Sequence, residues 1–278
     1  MFQISQKQKN FFMVKVLAIR RDERFSPNSV DVDREILHAV VARLVHYEVK
    51  TIDEAQLTMA DEADVYISMG RLPQTLRTLK AKEEEYNRLV VNSAKALESF
   101  SRSGVERLMR VNGIPVAPGK GYKGYWVKRG DAAAQSKNDV VYCANEQDME
   151  ACVAKFRERG VKDVVVSAHI EGDLIKFYGV GNRFFRHYYP TDGGRSKFGD
   201  EARNGVSQHY PFDVEALQND VFRLAELVHM DVYGGDCIVD GKGNYFIIDF
   251  NDWPSFSRCR DEAADAIARL IESFCAAG

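Results

Sequence analysis

A chain of 278 residues with 38 Lys+Arg against 41 Asp+Glu carries a net charge of −3, with 45% hydrophobic and 28% charged residues. This is the mixture of a globular protein; it excludes a disordered chain, and its balance argues against a general nucleic-acid binder. No run approaches the roughly 18 apolar residues that a membrane helix needs. The opening MFQISQKQKNFFMVKV has no continuous apolar stretch of the secretory kind, and Met13 offers an alternative start. Cysteines 143, 152, 237, 259 and 275 show neither C-x-x-C nor zinc spacing, which predicts buried structural thiols in a cytoplasmic protein.

Strands and helices alternate in the first third. The apolar run 14–19 predicts a strand, and Asp31 opens a helix with Ile36, Leu37, Val40, Val41 and Leu44 on one face. Further strands are predicted at 47–52, at 63–69 and, short, at 90–92, with a helix after the third strand left without bounds. The pattern is an α/β unit with a short parallel sheet, and the first lobe is set at residues 1–98. A helix at 101–111 stops at Asn112-Gly113. Strands at 125–128, 140–142 and 164–166, with a helix at 148–159, form a small α+β insert of about 55 residues (about 112–167), within the range for a subdomain.

Two paired strands, 174–180 and 182–189, lead into a Gly/Arg-rich loop, 191–207. Asp213 then caps an amphipathic helix carrying Val214, Leu217, Val221, Leu224 and Leu227. Two apolar runs flank Asp240-Gly241-Lys242-Gly243, a hairpin signal, and a helix at 261–274 closes the chain. The second unit therefore spans 99–278 and is α+β throughout.

The hairpin segment GDCIVDGKGNYFIIDFNDWPSF holds the most chemistry. A turn at 240–244 sets Asp236 almost opposite Asp249, and a side-chain period of two puts Asp249 and Asn251 on one face. Three oxygen-bearing groups then converge at one end of the hairpin. Such a set suits Mg²⁺, although composition alone favours turn and strand-end residues solvated at a sheet edge.

Asp, about a dozen residues, then apolar-apolar-Asp-x-Asn-x-x-Pro is similar to the metal site of ATP-grasp enzymes. The resemblance runs from about Asn92 to the C-terminus, and the preceding lobe resembles the domain that usually stands before an ATP-grasp core. The form Asp249-Phe-Asn-Asp-Trp-Pro is close to that of inositol trisphosphate 5/6-kinase-like members. The resemblance implies Asp236, Asp249 and Asn251 as Mg²⁺ ligands. It also implies an adenine edge met by the backbone at His169 and Ile170, ribose contacts from Glu171 or Asp173, and phosphate contacts from Lys128 and Lys176. Arg102 stands where many members have lysine, an exchange that keeps the charge but changes the geometry. The lid segment 130–136 has alanines where members often carry paired glycines.

The function implied is an ADP-forming ligase that joins a carboxylate to an amine through an acyl-phosphate, using ATP and Mg²⁺. Arg183, Arg186, His187, Arg195, Lys197 and Arg203, together with Arg258 and Arg260, are candidates to hold an anionic small-molecule substrate. Glycines 193, 194 and 199 would let their loop close over it. A polyol-phosphate kinase is the rival within the fold, weakened by the lack of a dense Lys/Arg cluster in the first lobe. A nucleotide-binding protein without catalysis is the third reading. Apolar surface on the first lobe would permit a homodimer.

Overall fold

The structure, a computed structural model, describes residues 13–27, 29–131, 137–193 and 201–277. Its first lobe is a four-stranded parallel sheet of order β2-β1-β3-β4, made of β1 (Lys15–Arg20), β2 (Glu48–Asp53), β3 (Val65–Ser68) and β4 (Leu89–Val91). Side chains along β1 alternate between two cores. Val16 and Ala18 pack with α1 (Val30–Val41) on one face, while Leu17 and Ile19 pack with Tyr66, Leu79 and Ala94 on the other. Burial on both faces explains why β1, β3 and β4 read as short continuous apolar runs, whereas the edge strand β2 (EVKTID) is mostly exposed. The helix left without bounds is α2 (Pro73–Tyr86). Proline at its first turn starts it, and Asn87 at φ 50 ends it in the left-handed conformation. The short α3 (Ala94–Ser99) is capped by Ser93, whose Oγ accepts from the Ala96 N–H.

The next helix, α4 (Arg102–Val111), begins at the Ser101 cap and ends before Gly113, which sits at φ +67. It leads to a three-stranded antiparallel sheet of order β6-β5-β7: β5 (Tyr125–Arg129), β6 (Val140–Cys143) and β7 (Val164–Ala168). Helix α5 (Glu146–Glu158) covers that sheet through Phe156. Thiols do not behave uniformly: Cys143, Cys237 and Cys259 are buried, whereas Cys152 and Cys275 are only partly so.

A second antiparallel sheet has the order β11-β10-β8-β9, from β8 (Asp173–Val180), β9 (Phe184–Tyr188), β10 (Val232–Val239) and β11 (Tyr245–Asp252). Between them come the one-turn α6 (Glu201–Asn204) and α7 (Val214–Leu227), which buries Leu217, Val221 and Leu224 against Phe177, Tyr233 and Ile247. The β10–β11 turn is held by Asp240, whose Oδ1 accepts from the N–H groups of Lys242 and Asn244, with Gly243 at φ +83. Helix α8 (Arg260–Ala277) packs on α1, so the core that holds Ile36 and Ile67 continues into Trp253, Phe256 and Ile267.

One side chain fastens the two units further. Asn92, fully buried after β4, donates from Nδ2 to the Val232 carbonyl (2.7 Å) and accepts at Oδ1 from the N–H groups of Asp231 (2.8 Å) and Val232 (2.6 Å). Both functions of the amide are thereby satisfied inside the core, at the start of the strand that carries Asp236.

Candidate functional site

Antiparallel pairing sets Asp236 opposite both Asp249 and Lys176, so the three side chains form a row across β8, β10 and β11 on one face. Just before Asp236, Gly235 approaches β11 so closely that a Cβ there would lie 2.2 Å from the Asp249 carbonyl oxygen. The ladder then shifts: Asp236 faces Asp249 but Cys237 faces Ile247, leaving Ile248 as an extra residue. This bulge turns Ile248 and Asp249 to the same side, both lining a cavity of about 290 Å³, while Ile247 stays in the core. It also leaves the Ile248 carbonyl outside the ladder, and Lys128 Nζ donates to it at 2.8 Å from β5 in the opposite sheet. The cavity is therefore the space between the two antiparallel sheets, with β5 and β7 as one wall and β10 and β11 as the other.

Cations and carboxylates interlock along that wall. Lys176 Nζ donates to Asp236 Oδ1 (2.9 Å), and Arg102 Nη2 donates to Asp249 Oδ1 (3.4 Å) while its Nη1 donates to the Arg129 carbonyl (2.8 Å). The Arg102 Nε is buried and finds no acceptor among the described residues. Burial would raise the Asp249 pKa, but Arg102, Lys128 and a hydrogen bond from Asn251 outweigh it and hold the carboxyl below the usual carboxylate range. For Lys128 burial wins: it lies below the ordinary lysine range, with Asp249 only partly restoring the charged form.

The far end of the cavity is aromatic. Trp126 Nε1 donates to His169 Nδ1 (3.1 Å), and Tyr142 stands edge-on to both rings. Burial keeps His169 below the ordinary histidine range, so the ring is neutral and available as that acceptor at neutral pH. Arg203 covers the Tyr142 ring at 3.8 Å, and Asn204 Nδ2 donates to the Ile170 carbonyl (3.3 Å).

The structure brings together Arg102, Lys128, His169, Ile170, Asp236 and Asp249 as cavity lining, with Lys176 and Asn251 bonded to the two carboxylates. Three expected residues stand elsewhere. Glu171 is exposed and pairs with Lys123 at 3.3 Å. Asp173 is buried, and its two oxygens accept from the N–H groups of Gln208 (2.6 Å) and Tyr210 (2.8 Å), which makes it a fastener of the chain returning from the loop. Arg258 donates to the Pro190 carbonyl (2.9 Å). The His169 N–H, expected at an adenine edge, donates instead to the Gly124 carbonyl (2.8 Å). Of the loop cations, Arg203 reaches the cavity, Arg186 pairs with Glu262 (2.5 Å) and Arg260 with Glu35. Arg183 and Arg186 line a separate groove of about 1530 Å³ between α7, α8 and the first-lobe sheet, where charges of both signs are interleaved. Arg195 and Lys197, Gly194 and Gly199, and the lid residues 132–136 lie outside the described residues.

Sequence reasoning missed Trp126, Tyr142 and Asn204 as site residues. The adjacent Tyr125-Trp126 in β5 is a visible signal; Tyr142 and Asn204 offer none. It also passed over Asp252, which joins Arg71 and Arg21 at the lobe junction and Arg21 in turn joins Asp33 (3.1 Å).

No cluster of three or more His, Cys, Asp or Glu able to hold a metal occurs among the described residues. The oxygen set here is two carboxylates and one amide, hard donors that fit a small divalent cation keeping several of its waters. The buried, unpartnered Arg102 Nε beside Lys128 fits an anion brought with it.

Two antiparallel sheets closing on such a cavity, behind a parallel-sheet lobe, form the fold that solved D-alanine–D-alanine ligases and an ATP-grasp protein share with this chain. D-alanyl-alanine synthetase A from Vibrio cholerae has the same fold, with a TM-score of 0.66 at 10% identity over 94% of this chain and 98% of that one. So does the D-alanine–D-alanine ligase of Bacillus anthracis complexed with ATP (TM-score 0.64, 12% identity, 93% and 95% covered). A RimK domain ATP-grasp protein from Sphaerobacter thermophilus matches with a TM-score of 0.61 at 17% identity (92% and 98% covered). No family model and no curated protein matches the sequence.

Proposed function

We propose that the protein is an ATP- and Mg²⁺-dependent, ADP-forming ligase that joins a carboxylate to an amine or similar nucleophile. One observation carries the reading: the Lys176–Asp236–Asp249 row and the Arg102–Lys128 pair converge at one end of the cavity, and a narrow aromatic slot forms the other. A nucleotide is polar at one end and flat at the other in the same way.

With Mg²⁺ bound, ATP would supply the phosphoryl group that turns a carboxylate into an acyl-phosphate for the nucleophile to displace. The chain's residues do the rest by placement. Asp236, Asp249 and Asn251 would hold the cation through oxygen. Arg102, through its free Nε, and Lys128 would neutralise charge that spreads over the phosphoryl oxygens; charge neutralisation and positioning carry phosphoryl transfer without a side-chain nucleophile. Lys128 is already fixed by the bulge carbonyl, so its ammonium needs no reorganisation when charge develops. Trp126 and Tyr142 would exclude water from the base end. The first lobe and the loop arginines would bind the anionic carboxylate substrate.

The similarity of Asp249-Phe-Asn-Asp-Trp-Pro to the kinase-like form supports a polyol-phosphate kinase less well, because Trp253 is buried in the core between the lobes and does not line the cavity between the two sheets. Thermal unfolding with ATP and Mg²⁺ tests nucleotide binding. Wild type should gain about 2.7 kcal/mol at 100 times the dissociation constant, and Asp249→Asn should lose most of it. ADP and phosphate are then assayed across panels of carboxylates and amines. Free phosphate formed only with both substrates supports the ligase; ADP with a phosphorylated alcohol and no phosphate replaces it by the kinase. Nucleotide binding with no turnover on any panel leaves a binding protein.

A further inference from the structure

The slot end of the cavity carries an unbalanced pair of hydrogen-bonding groups. Asn204 enters from the single turn α6 and gives its Nδ2 to the Ile170 carbonyl at 3.3 Å. Its Oδ1 is buried and has no donor among the described residues. The orientation is not open to exchange, because turning the amide over would set an oxygen against the Ile170 carbonyl. Beside it, the Ile170 N–H has no acceptor among the described residues, whereas the preceding Ala168 and His169 N–H groups are committed to the carbonyls of Pro118 (2.7 Å) and Gly124 (2.8 Å). A buried amide oxygen left without a donor is costly, and the cost disappears only when something that donates is brought to it.

We infer that Asn204, with the backbone N–H of Ile170, selects the base: its Oδ1 accepts from the exocyclic amino group of adenine while the N–H donates to the adjacent ring nitrogen. The inference rests on the nucleotide-binding reading above. The Ile170 carbonyl beside that N–H is already occupied by Asn204, so the side chain, which lines the cavity, offers its own oxygen as the acceptor in its place. Adenine presents a donor and an acceptor side by side on that edge. Hypoxanthine and guanine present the reverse, an oxygen where adenine has the amino group and an N–H where it has the bare nitrogen. Either would meet Asn204 Oδ1 oxygen to oxygen and Ile170 donor to donor. Sites built on paired polar groups reject such mismatches strongly, because the buried groups are left unpaired. Arg203 on the Tyr142 ring closes the slot from the same turn, so reading the base and covering it are functions of consecutive residues.

ITP, which differs from ATP only at this edge, is the probe. Dissociation constants of ATP and ITP with Mg²⁺ are measured by calorimetry on wild type, Asn204→Ala and Asn204→Ser. Wild type should prefer ATP by tenfold or more. In Asn204→Ala, ATP should weaken by about tenfold while ITP is unchanged or improves, so the preference collapses; Asn204→Ser should fall the same way. A purely structural role would weaken both nucleotides alike and leave their ratio intact, which overturns the inference. A wild type that binds both equally also overturns it, while sparing the nucleotide reading. If wild type binds neither, that reading fails and the inference falls with it.

Discussion

Strand β11 carries two clusters built from the same residue types, and they behave differently. At its end, Asp252 is 5% exposed and shared by Arg21 (7%) and Arg71 (24%), with Asp33 on the far side of Arg21. Arg21 spends all its nitrogens within the protein: Nε on the Met69 carbonyl, Nη1 on Asp33, Nη2 on Asp252 and the Trp253 carbonyl. Three residues earlier, Asp249 meets Arg102 at 3.4 Å with one guanidinium nitrogen left over, and both face a cavity. The first arrangement is closed and joins two lobes. The second is under-satisfied, and an under-satisfied set of charges at a cavity wall is what a ligand can complete. Charge content does not distinguish the two clusters; completeness of hydrogen bonding does.

Disabling the closed cluster should have the largest effect on the fold. Asp252→Asn removes the carboxylate that Arg71 and Arg21 share, leaving Arg21 only Asp33, and should lower stability by about 3–5 kcal/mol in urea unfolding. Because Arg71 and Arg21 overcome burial and hold Asp252 below the usual carboxylate range, its contribution is present at neutral pH and is lost as pH falls through that lowered value. The variant should therefore show a flatter acid limb. A change smaller than 1 kcal/mol would mean that the two clusters are equivalent after all. The neutral counterpart of that junction, Asn92, comes next: Asn92→Ala strands the buried groups of Asp231 and Val232 and should cost about 2–3 kcal/mol.

The open cluster should respond weakly in the fold and strongly in binding. Lys128 is held below the ordinary lysine range by burial, so the folded state releases that proton before the unfolded state does. Stability should accordingly rise with pH as Lys128 is neutralised, between its folded value and the ordinary lysine value. Lys128→Met should remove this rise, and nucleotide affinity should fall across the same window in wild type. Smallest of all, Asp249→Asn should change the stability of the ligand-free protein by about 1 kcal/mol or less, because its ion pair is long and partly solvated. A loss as large as that of Asp252→Asn would dissolve the distinction between the two regions.

Much of the framework was legible because it is local. Strands β1, β3 and β4 of the parallel sheet are short apolar runs, and Asp240-Gly241-Lys242-Gly243 fixes a turn that puts Asp236 opposite Asp249. What resisted was either weakly amphipathic or distant in the chain. Helix α2 buries Thr75, Thr78 and Lys82 with only Leu79 as an apolar anchor, so no hydrophobic period gave its bounds. Asn92 looked like a strand end, yet its partners are about 140 residues away. Asp173 stood at the right spacing for a ribose contact, but spacing says nothing of the two N–H groups that return from residues 208 and 210 to claim it. Likewise Asn204 sits in a loop without pattern and gains meaning only from the carbonyl it meets.

The additional residue in β11 has a consequence for how this hairpin tolerates change. Between Tyr245 and Asp252 the strand has two parities: Ile247 and Phe250 point to the core although they stand three apart, and Ile248 and Asp249 point to the cavity although they are neighbours. Deleting Ile248 would restore an even ladder with Ile247 and Phe250 still inward. The same deletion removes the one carbonyl that anchors Lys128, and the two sheets would lose their only direct polar tether among the described residues at that point. An uninterrupted ladder would hold the same core without the carbonyl that fixes Lys128.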